Sequence, residues 1–480
     1  MKVLFILKES LMHERMGVMC LSASLKSKSF KTKLILFDNL GIRKVRKLMK
    51  EYLPDIVGYS VMTGEHTRLL EINKALKKEF SFFSVFGGPH ATFFPGLIYE
   101  DGVDAICVGE GDIAFAEFCR RISRGEDFWN SPNFSVKHNG AVIKNQVLPL
   151  VEELDTLPFP DREIMYQADH ALYHEGHKMF LASRGCFYQC TYCFNNGYNN
   201  LYKGNGSIMR YRSPENVIAE MCAVIERYPL NVIWVDDDNF LAKSEEWFIR
   251  FTKLYKEKVQ APLSINVRAN LVKEETISLL KEAGLDSVWM GIECGNQEAS
   301  DFILKRNLKN WQIINAANIF KKYNIKLITQ NLIGLPLQNS YLVDLETLDM
   351  NIKIKPTFAW SSILYPYPGT PIEDYARDSG LLLGKTQAVE TNKRVSVFNF
   401  SPIEKRKISN LHKLFGLIVR LPFLRRYTNF LCHLPLNFLY VMLFYWWYGY
   451  NIKFKIYPFR SLRREISHYI SLWWRFIFKT

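Results

Sequence analysis

The chain has 480 residues, too many for one ordinary domain, and its 48% hydrophobic and 23% charged residues exclude a disordered chain. Its net charge of +14 is uneven: residues 401–480 hold 14 Lys and Arg against two acids, Glu404 and Glu465, so this tail carries +12. Nine cysteines, with Cys186, Cys190 and Cys193 close together, argue against a disulfide framework and for metal ligation in a reducing compartment.

The opening MKVLFILKES holds a short apolar run before Lys8 and Glu9, too brief for a secretory signal, and reads as the first strand of a cytoplasmic protein. Further strands are expected at Lys33–Phe37, Ile56–Ser60, Phe82–Phe86 and Ala105–Val108, after a first at Val3–Leu7. Amphipathic segments such as Thr67–Glu79 lie between them, which makes residues 1–125 a doubly wound, flavodoxin-like α/β domain. Residues 126–172 carry Asn139-Gly140 and prolines at 149, 158 and 160 without a sustained period, and read as a linker.

From 173 to 390 the alternation resumes. Strands are expected at Met179–Ser183, Val232–Asp236, Ser264–Val267, Ser287–Ile292, Lys326–Ile333 and Phe358–Leu364. Ser213-Pro214-Glu215 and Ser244-Glu245-Glu246 are helix starts, each with a capping serine and an acid in the first turn. Six units suit a partial (β/α)6 barrel, whose chemistry belongs at the C-terminal ends of the strands.

Cys186, Cys190 and Cys193 follow the first of these strands in a C-x3-C-x2-C loop. Three thiolates on one loop can hold one face of a four-iron cluster, which leaves one iron open to a small-molecule ligand. A structural zinc site would need a fourth ligand, for which His170, His174 and His177 are the candidates.

This loop, with Tyr192 before its third cysteine, resembles that of the radical SAM superfamily, whose members use a [4Fe–4S] cluster and S-adenosylmethionine (SAM). Later stretches match in order. Val235-Asp236-Asp237-Asp238-Asn239-Phe240 ends strand two, Asn266-Val267-Arg268-Ala269 strand three and Gly291-Ile292-Glu293-Cys294-Gly295 strand four. Tyr365-Pro366-Tyr367-Pro368-Gly369-Thr370-Pro371 ends strand six. The resemblance implies that Cys186, Cys190 and Cys193 ligate the cluster and that Tyr192, Asp238, Arg268 and Glu293 contact SAM. Strand five departs from the family: it ends Ile333-Gly334-Leu335-Pro336 where Pro-Gly-Glu is usual.

Gly87-Gly88-Pro89-His90-Ala91-Thr92 resembles an element of the cobalamin-binding domain fused to many radical SAM enzymes. Tyr59-Ser60-Val61-Met62-Thr63 and Gly109-Glu110-Gly111 match the same domain. Cobalamin-binding residues implied are Ser60, Thr63, Gly87, Gly88, His90, Gly109, Glu110 and Gly111. The loop around His13 lacks the Asp of the domain's D-x-H-x-x-G motif, so no histidine is expected below cobalt.

Residues 391–480 read as a basic, aromatic helical region. Tyr427 to Ile452 holds no charged residue, and Trp446, Trp447, Trp473 and Trp474 stand among or beside basic flanks. Trp, Tyr and basic residues together suit a bilayer headgroup region, so peripheral contact with the inner face of a membrane is expected. The alternatives are a cap whose aromatics line a substrate pocket, and a spanning helix. No nucleic acid is expected, because the basic residues flank the aromatics and do not interleave with them.

The whole resembles the cobalamin-dependent radical SAM carbon methyltransferases. That implies methyl transfer to an unactivated carbon of a hydrophobic small molecule, with an external electron donor of flavodoxin or ferredoxin type. The same residues serve oxidative ring formation on a porphyrin-like substrate, as in the anaerobic magnesium-protoporphyrin ester cyclase. A corrinoid carrier without radical chemistry is the rival from another class.

Overall fold

The structure, a computed structural model, describes residues 1–9, 13–383 and 395–457. Among these, residues 1–175 and 197–210 form one compact unit, and 176–196, 211–383 and 395–457 a second. The segment 197–210, which the alternation assigns to the barrel, therefore belongs with the first unit.

The first unit is built on a seven-stranded sheet: β1 (Lys2–Leu7), β2 (Lys31–Leu36), β3 (Ile56–Ser60), β4 (Phe83–Gly87), β5 (Ala105–Cys107), β6 (Phe134–His138) and β7 (Ala141–Lys144). Its order is β2-β1-β3-β4-β5-β6-β7. The first five strands pair in parallel, in the flavodoxin-like order with a switch point between β1 and β3. Val3 to Leu7 are buried throughout, as expected of a strand covered on both faces.

The stretch read as a linker departs from expectation. β6 and β7 form a hairpin that extends the sheet antiparallel from β5. Its turn is Asn139-Gly140, with φ of 49° and 81°. Positive φ at both central residues matches the twist of a hairpin, and Asn-Gly adopts it at little cost.

The second unit holds six parallel strands: β8 (His177–Phe180), β9 (Val232–Val235), β10 (Leu263–Val267), β11 (Leu285–Glu293), β12 (Lys326–Ile333) and β13 (Phe358–Ile363). The strand order follows the chain order and the sheet stays open, with β8 and β13 at its edges. Both serine-capped helices form as read: the Ser213 side chain accepts from the Asn216 N–H, and that of Ser244 from the Trp247 N–H. Ile233, Val235, Ile265, Val267, Val288 and Met290 pack outward with Met221, Phe251, Leu280 and Phe320 of the surrounding helices. The period of two then turns Trp234, Asn266 and Trp289 to the inner face. On β13, Ala359 and Ser361 meet the helix Pro402–Arg420, which turns Trp360 inward as well.

The C-terminal region closes this open barrel. Phe444 and Tyr448, on the helix Asn437–Tyr450, pack against Trp360 at ring separations of 5.6 and 5.0 Å. The chain then runs beneath the strands, where Ile452, Ile456 and Tyr457 join Val232, Ile328 and Phe358 in one apolar cluster. The Tyr457 hydroxyl accepts a hydrogen bond from Trp289 Nε1 at 3.0 Å, and its ring stacks on His177 at 5.1 Å. One segment thus reaches both edge strands. Trp447, expected to enter a bilayer, is instead half-buried against the protein, while Trp446 faces outward. Trp473 and Trp474 lie outside the described residues. Among the described residues, no helix is long and apolar enough to cross a membrane.

Candidate functional site

In the second unit the cysteine loop leaves the C-terminal end of β8. Its backbone is docked on Ala299–Arg306: the Thr191 N–H donates to Leu304 O at 3.1 Å and the Thr191 hydroxyl to Ile303 O at 2.7 Å. Cys190 is buried, and Cys186 and Cys193 are half-buried. Burial pushes the Cys186 thiol up and that of Cys193 to about 12. A bound metal would reverse that preference, since thiolates are the ligating form. Among the described residues no three His, Cys, Asp or Glu side chains close to the distances of a single shared ion. Thiolates on separate irons of a cube stand wider apart than that. Of the zinc candidates, His177 stacks on Tyr457 at the opposite end of β8.

The expected SAM residues gather around this loop. Arg268 stacks on the Tyr188 ring at 3.7 Å, bonds Asn270 Oδ1 at 2.9 Å, donates to the Arg306 carbonyl and lies 3.7 Å from Cys190 Sγ. Asp238 accepts from Asn195 Nδ2 at 3.1 Å and from the Gly185 N–H, which ties it to both ends of the loop. Its carboxyl is pushed above the usual range, chiefly because protein surrounds it. Glu293 sits at φ +65° where the β11 register shifts, an uncommon conformation for a residue with a side chain. A β-carbon on Gly291 would stand 2.7 Å from the Glu293 carboxylate, so glycine gives that group its room. Burial raises the Glu293 carboxyl, against the pull of Arg306.

Arg306 is the residue that motif reading missed. It is buried, donates to the Tyr192 hydroxyl and to Gly291 O at 2.6 Å, and lies 3.5 Å from Glu293 Oε1. It stands outside every motif, on a segment with no sequence signal. Asn239 was also passed over: it is buried, and neither side-chain polar atom meets a protein partner.

In the first unit the loops after β3, β4 and β5 carry the expected cobalamin residues. Gly88 has φ +90°, and a β-carbon there would stand 3.0 Å from Val61 O and 3.2 Å from Ser60 Oγ. The glycine is therefore required by the turn itself. Thr63 Oγ1 and His90 Nδ1 share a hydrogen bond of 3.1 Å, and His90 stacks on His66 at 3.7 Å and on Phe94 at 4.7 Å. Burial lowers His90 to about 3, so the ring is neutral at ordinary pH. His66, His90, Leu70, Glu71 and Lys74 line a cavity of about 320 Å³. Gly87 has open room, its nearest neighbour being the Cys107 β-carbon at 3.6 Å.

The Gly109-Glu110-Gly111 turn serves the protein more directly than expected. Arg210 grips the Glu110 carboxylate at 2.8 and 2.9 Å, and the Tyr198 hydroxyl donates to it at 3.0 Å. The Glu110 N–H donates to the Tyr202 hydroxyl, which fills the place of a Gly109 β-carbon. These three residues anchor the segment 197–210.

Two family models match the chain: the B12 binding domain over residues 4–119 and the Radical SAM superfamily over residues 180–345. This chain is a radical SAM enzyme with a B12-binding domain. It is 28% identical over 355 residues to an uncharacterized methyltransferase of Pyrococcus horikoshii, covering 72% of this chain and 75% of that one. It is 25% identical to the cytidylyl-2-hydroxyethylphosphonate methyltransferase of Streptomyces wedmorensis, over 55% of this chain and 54% of that one. Among solved structures, the cobalamin-dependent S-adenosylmethionine radical enzyme OxsB shares the fold, with TM-score 0.71 at 15% identity over 90% of this chain and 72% of that one.

A [4Fe–4S] cluster, SAM and cobalamin are the cofactors of this radical SAM enzyme. The donor sets fit them. Three thiols stand on one loop with a cation beside the middle one. Carboxylates, an arginine and an unpartnered buried amide stand near it, complementary to the ammonium, carboxylate and hydroxyls of SAM. The open face at Gly87, between half-exposed strand ends, suits the close approach of a large flat ring.

Proposed function

We propose that this radical SAM enzyme transfers a methyl group to an unactivated carbon of a hydrophobic substrate held in the barrel lumen. The observation that carries the substrate class is the lumen wall. Trp234, Trp289 and Trp360 are each half-buried on the inner face, and Trp234 and Trp289 stack at 6.1 Å. Their N–H groups are occupied by Asn266, Tyr457 and Ser362, so what each half-buried ring still offers, beyond the parts that Phe444, Tyr448 and the Trp234–Trp289 pair cover, is apolar surface. The relatives named as methyltransferases support the reaction type.

When bound, the cluster, SAM and cobalamin supply reductive cleavage, hydrogen abstraction and methyl delivery. Cys186, Cys190 and Cys193 would hold the cluster, and Arg268, fixed by Tyr188 and Asn270, would place a positive charge beside it. Asp238 would take the SAM ammonium, and Glu293, oriented by Arg306 and Tyr192, its ribose hydroxyls. Ser60, Thr63, Gly87, Gly88 and His90 would border the corrin, with His90 held neutral between Thr63 and His66. Gly111 would border the corrin with them, and Gly109 and Glu110 would act in addition through the segment they anchor. Tyr457 and its neighbours floor the lumen and exclude water from below. The reading includes an external one-electron donor of flavodoxin or ferredoxin type, and a bilayer surface as the place where such a substrate is met.

Anaerobic incubation of reconstituted enzyme with SAM, a reductant and a membrane-lipid extract should yield 5′-deoxyadenosine and S-adenosylhomocysteine together. A product heavier by one methylene should accompany them. Replacing Cys186, Cys190 and Cys193 by Ala should abolish both nucleosides and the broad visible absorption of the cluster. Deoxyadenosine without S-adenosylhomocysteine would turn the reading to ring formation; neither nucleoside, with the cluster intact, would leave only a corrinoid carrier.

A further inference from the structure

The helix Asn437–Tyr450 and the turn after it have two faces. Phe444, Tyr448, Ile452 and Ile456 face the barrel. Opposite them stand Phe438, Met442, Trp446, Tyr450 and Phe454, at steps of four residues and therefore in one stripe. These five side chains are between 40% and 74% exposed. Trp446, Tyr450 and Phe454 stack in series at 6.0 and 5.7 Å, so this half of the stripe is a continuous aromatic surface. Monomeric proteins rarely leave so large an apolar face in water without a use for it.

Charge says what the face meets. Lys455 lies over the Trp447 and Tyr450 rings at 5.8 and 5.2 Å, at one end of the stripe. The sequence beyond residue 457 adds Arg460, Arg463, Arg464, Arg475 and Lys479 against Glu465 alone. An apolar protein partner has no use for so basic a sequence, whereas an anionic bilayer offers hydrocarbon for the rings and phosphates for cations. No described helix is long and apolar enough to cross a membrane, which fits rings that enter a bilayer from one side.

We propose that the stripe Phe438, Met442, Trp446, Tyr450 and Phe454, with Lys455 beside it, docks this chain on an anionic lipid surface. The proposal deepens the bilayer part of the proposed function and is independent of its chemistry, since the stripe touches neither the cysteine loop nor the lumen.

The test is co-sedimentation of the full-length chain with phosphatidylcholine vesicles, with and without phosphatidylserine. The wild type should sediment with the anionic vesicles at least tenfold more strongly than with the neutral ones. Raising salt should release part of it, because exposed charges are screened beyond about 10 Å at 0.1 M salt. The triple variant F438E/M442E/W446E should lose at least tenfold in binding while keeping its circular dichroism and cobalamin content. K455E should weaken the phosphatidylserine preference but retain residual binding. Undiminished binding by the triple variant would overturn the proposal, as would failure of the wild type to bind either vesicle. It would equally fall if light scattering showed a dimer that the triple variant splits, or if binding appeared only after removal of residues 458–480. SAM cleavage in detergent, measured on the same samples, separates this outcome from any failure of the enzymatic reading.

Discussion

Asp236, Asp237 and Asp238 are adjacent in sequence, yet their surroundings give them three different tasks. Asp237 is fully buried, pairs with Lys243 at 2.6 Å, and accepts from the Ala182 and Ser183 N–H groups and the Ser183 hydroxyl. It locks the end of β9 to the end of β8. Asp237→Ala would strand the buried Lys243 cation, and unfolding should show a loss of about 3–5 kcal/mol. Asp238 faces the cysteine loop. Asp236 bonds Asn266 at 2.7 Å, and burial, with the charges of Asp237 and Asp238, pushes its carboxyl up to about 7. Its native pKa lies above the unfolded value, so the folded state binds the extra proton. Its contribution to stability therefore falls as pH rises from about 4 to 7. The thermal midpoint of the apo-protein should drop across that window, and Asp236→Asn should flatten the drop. Equal slopes in wild type and variant would show that Asp236 titrates normally. No pattern in the run of three aspartates distinguishes these tasks, because they depend on partners 30 to 55 residues away.

At the level of elements, local chemistry was legible wherever it was local. Ser213 and Ser244 cap their helices because a serine followed by acids satisfies free N–H groups within the same turn. The Asn139-Gly140 hairpin was equally local, but prolines at 149, 158 and 160 drew residues 126–172 into one linker. The anchoring by Glu110 could not have been read. Its partners Tyr198 and Arg210 lie some 90 to 100 residues on, past the cysteine loop. A motif match made Glu110 a cofactor residue, and its carboxylate also anchors the segment 197–210. Arg210 is buried, so Arg210→Met should leave Glu110 uncompensated and cost about 3–5 kcal/mol, seen as a lower unfolding midpoint. Arg210→Lys should recover only part, because one ammonium cannot reproduce the two parallel bonds of the guanidinium. Full rescue by lysine would reduce the pair to a simple charge contact.

Over the whole molecule, the tail shows where composition stops deciding. An uncharged aromatic stretch with basic flanks has the same composition whether its rings enter lipid, plug a barrel, or do each on opposite faces. Only the open edges of the six-stranded sheet say that Phe444, Tyr448 and Tyr457 are needed inside. Tyr457 is the test of that role, because it meets β8 through His177, β10 through Ser264 and β11 through Trp289. Tyr457→Phe keeps the ring but leaves the Trp289 N–H without its acceptor, and should cost about 1–3 kcal/mol. Tyr457→Ala also opens a cavity under the strands and should cost about 3–5 kcal/mol, with tryptophan emission shifted to the red as water reaches Trp234 and Trp289. The cysteine loop lies at the other end of the strands, so both variants should still take up iron while the fold survives. Normal stability and unshifted emission in Tyr457→Ala would mean that the barrel closes without its C-terminal floor. Loss of iron at full stability would mean instead that the floor governs the cluster from the far end of the lumen.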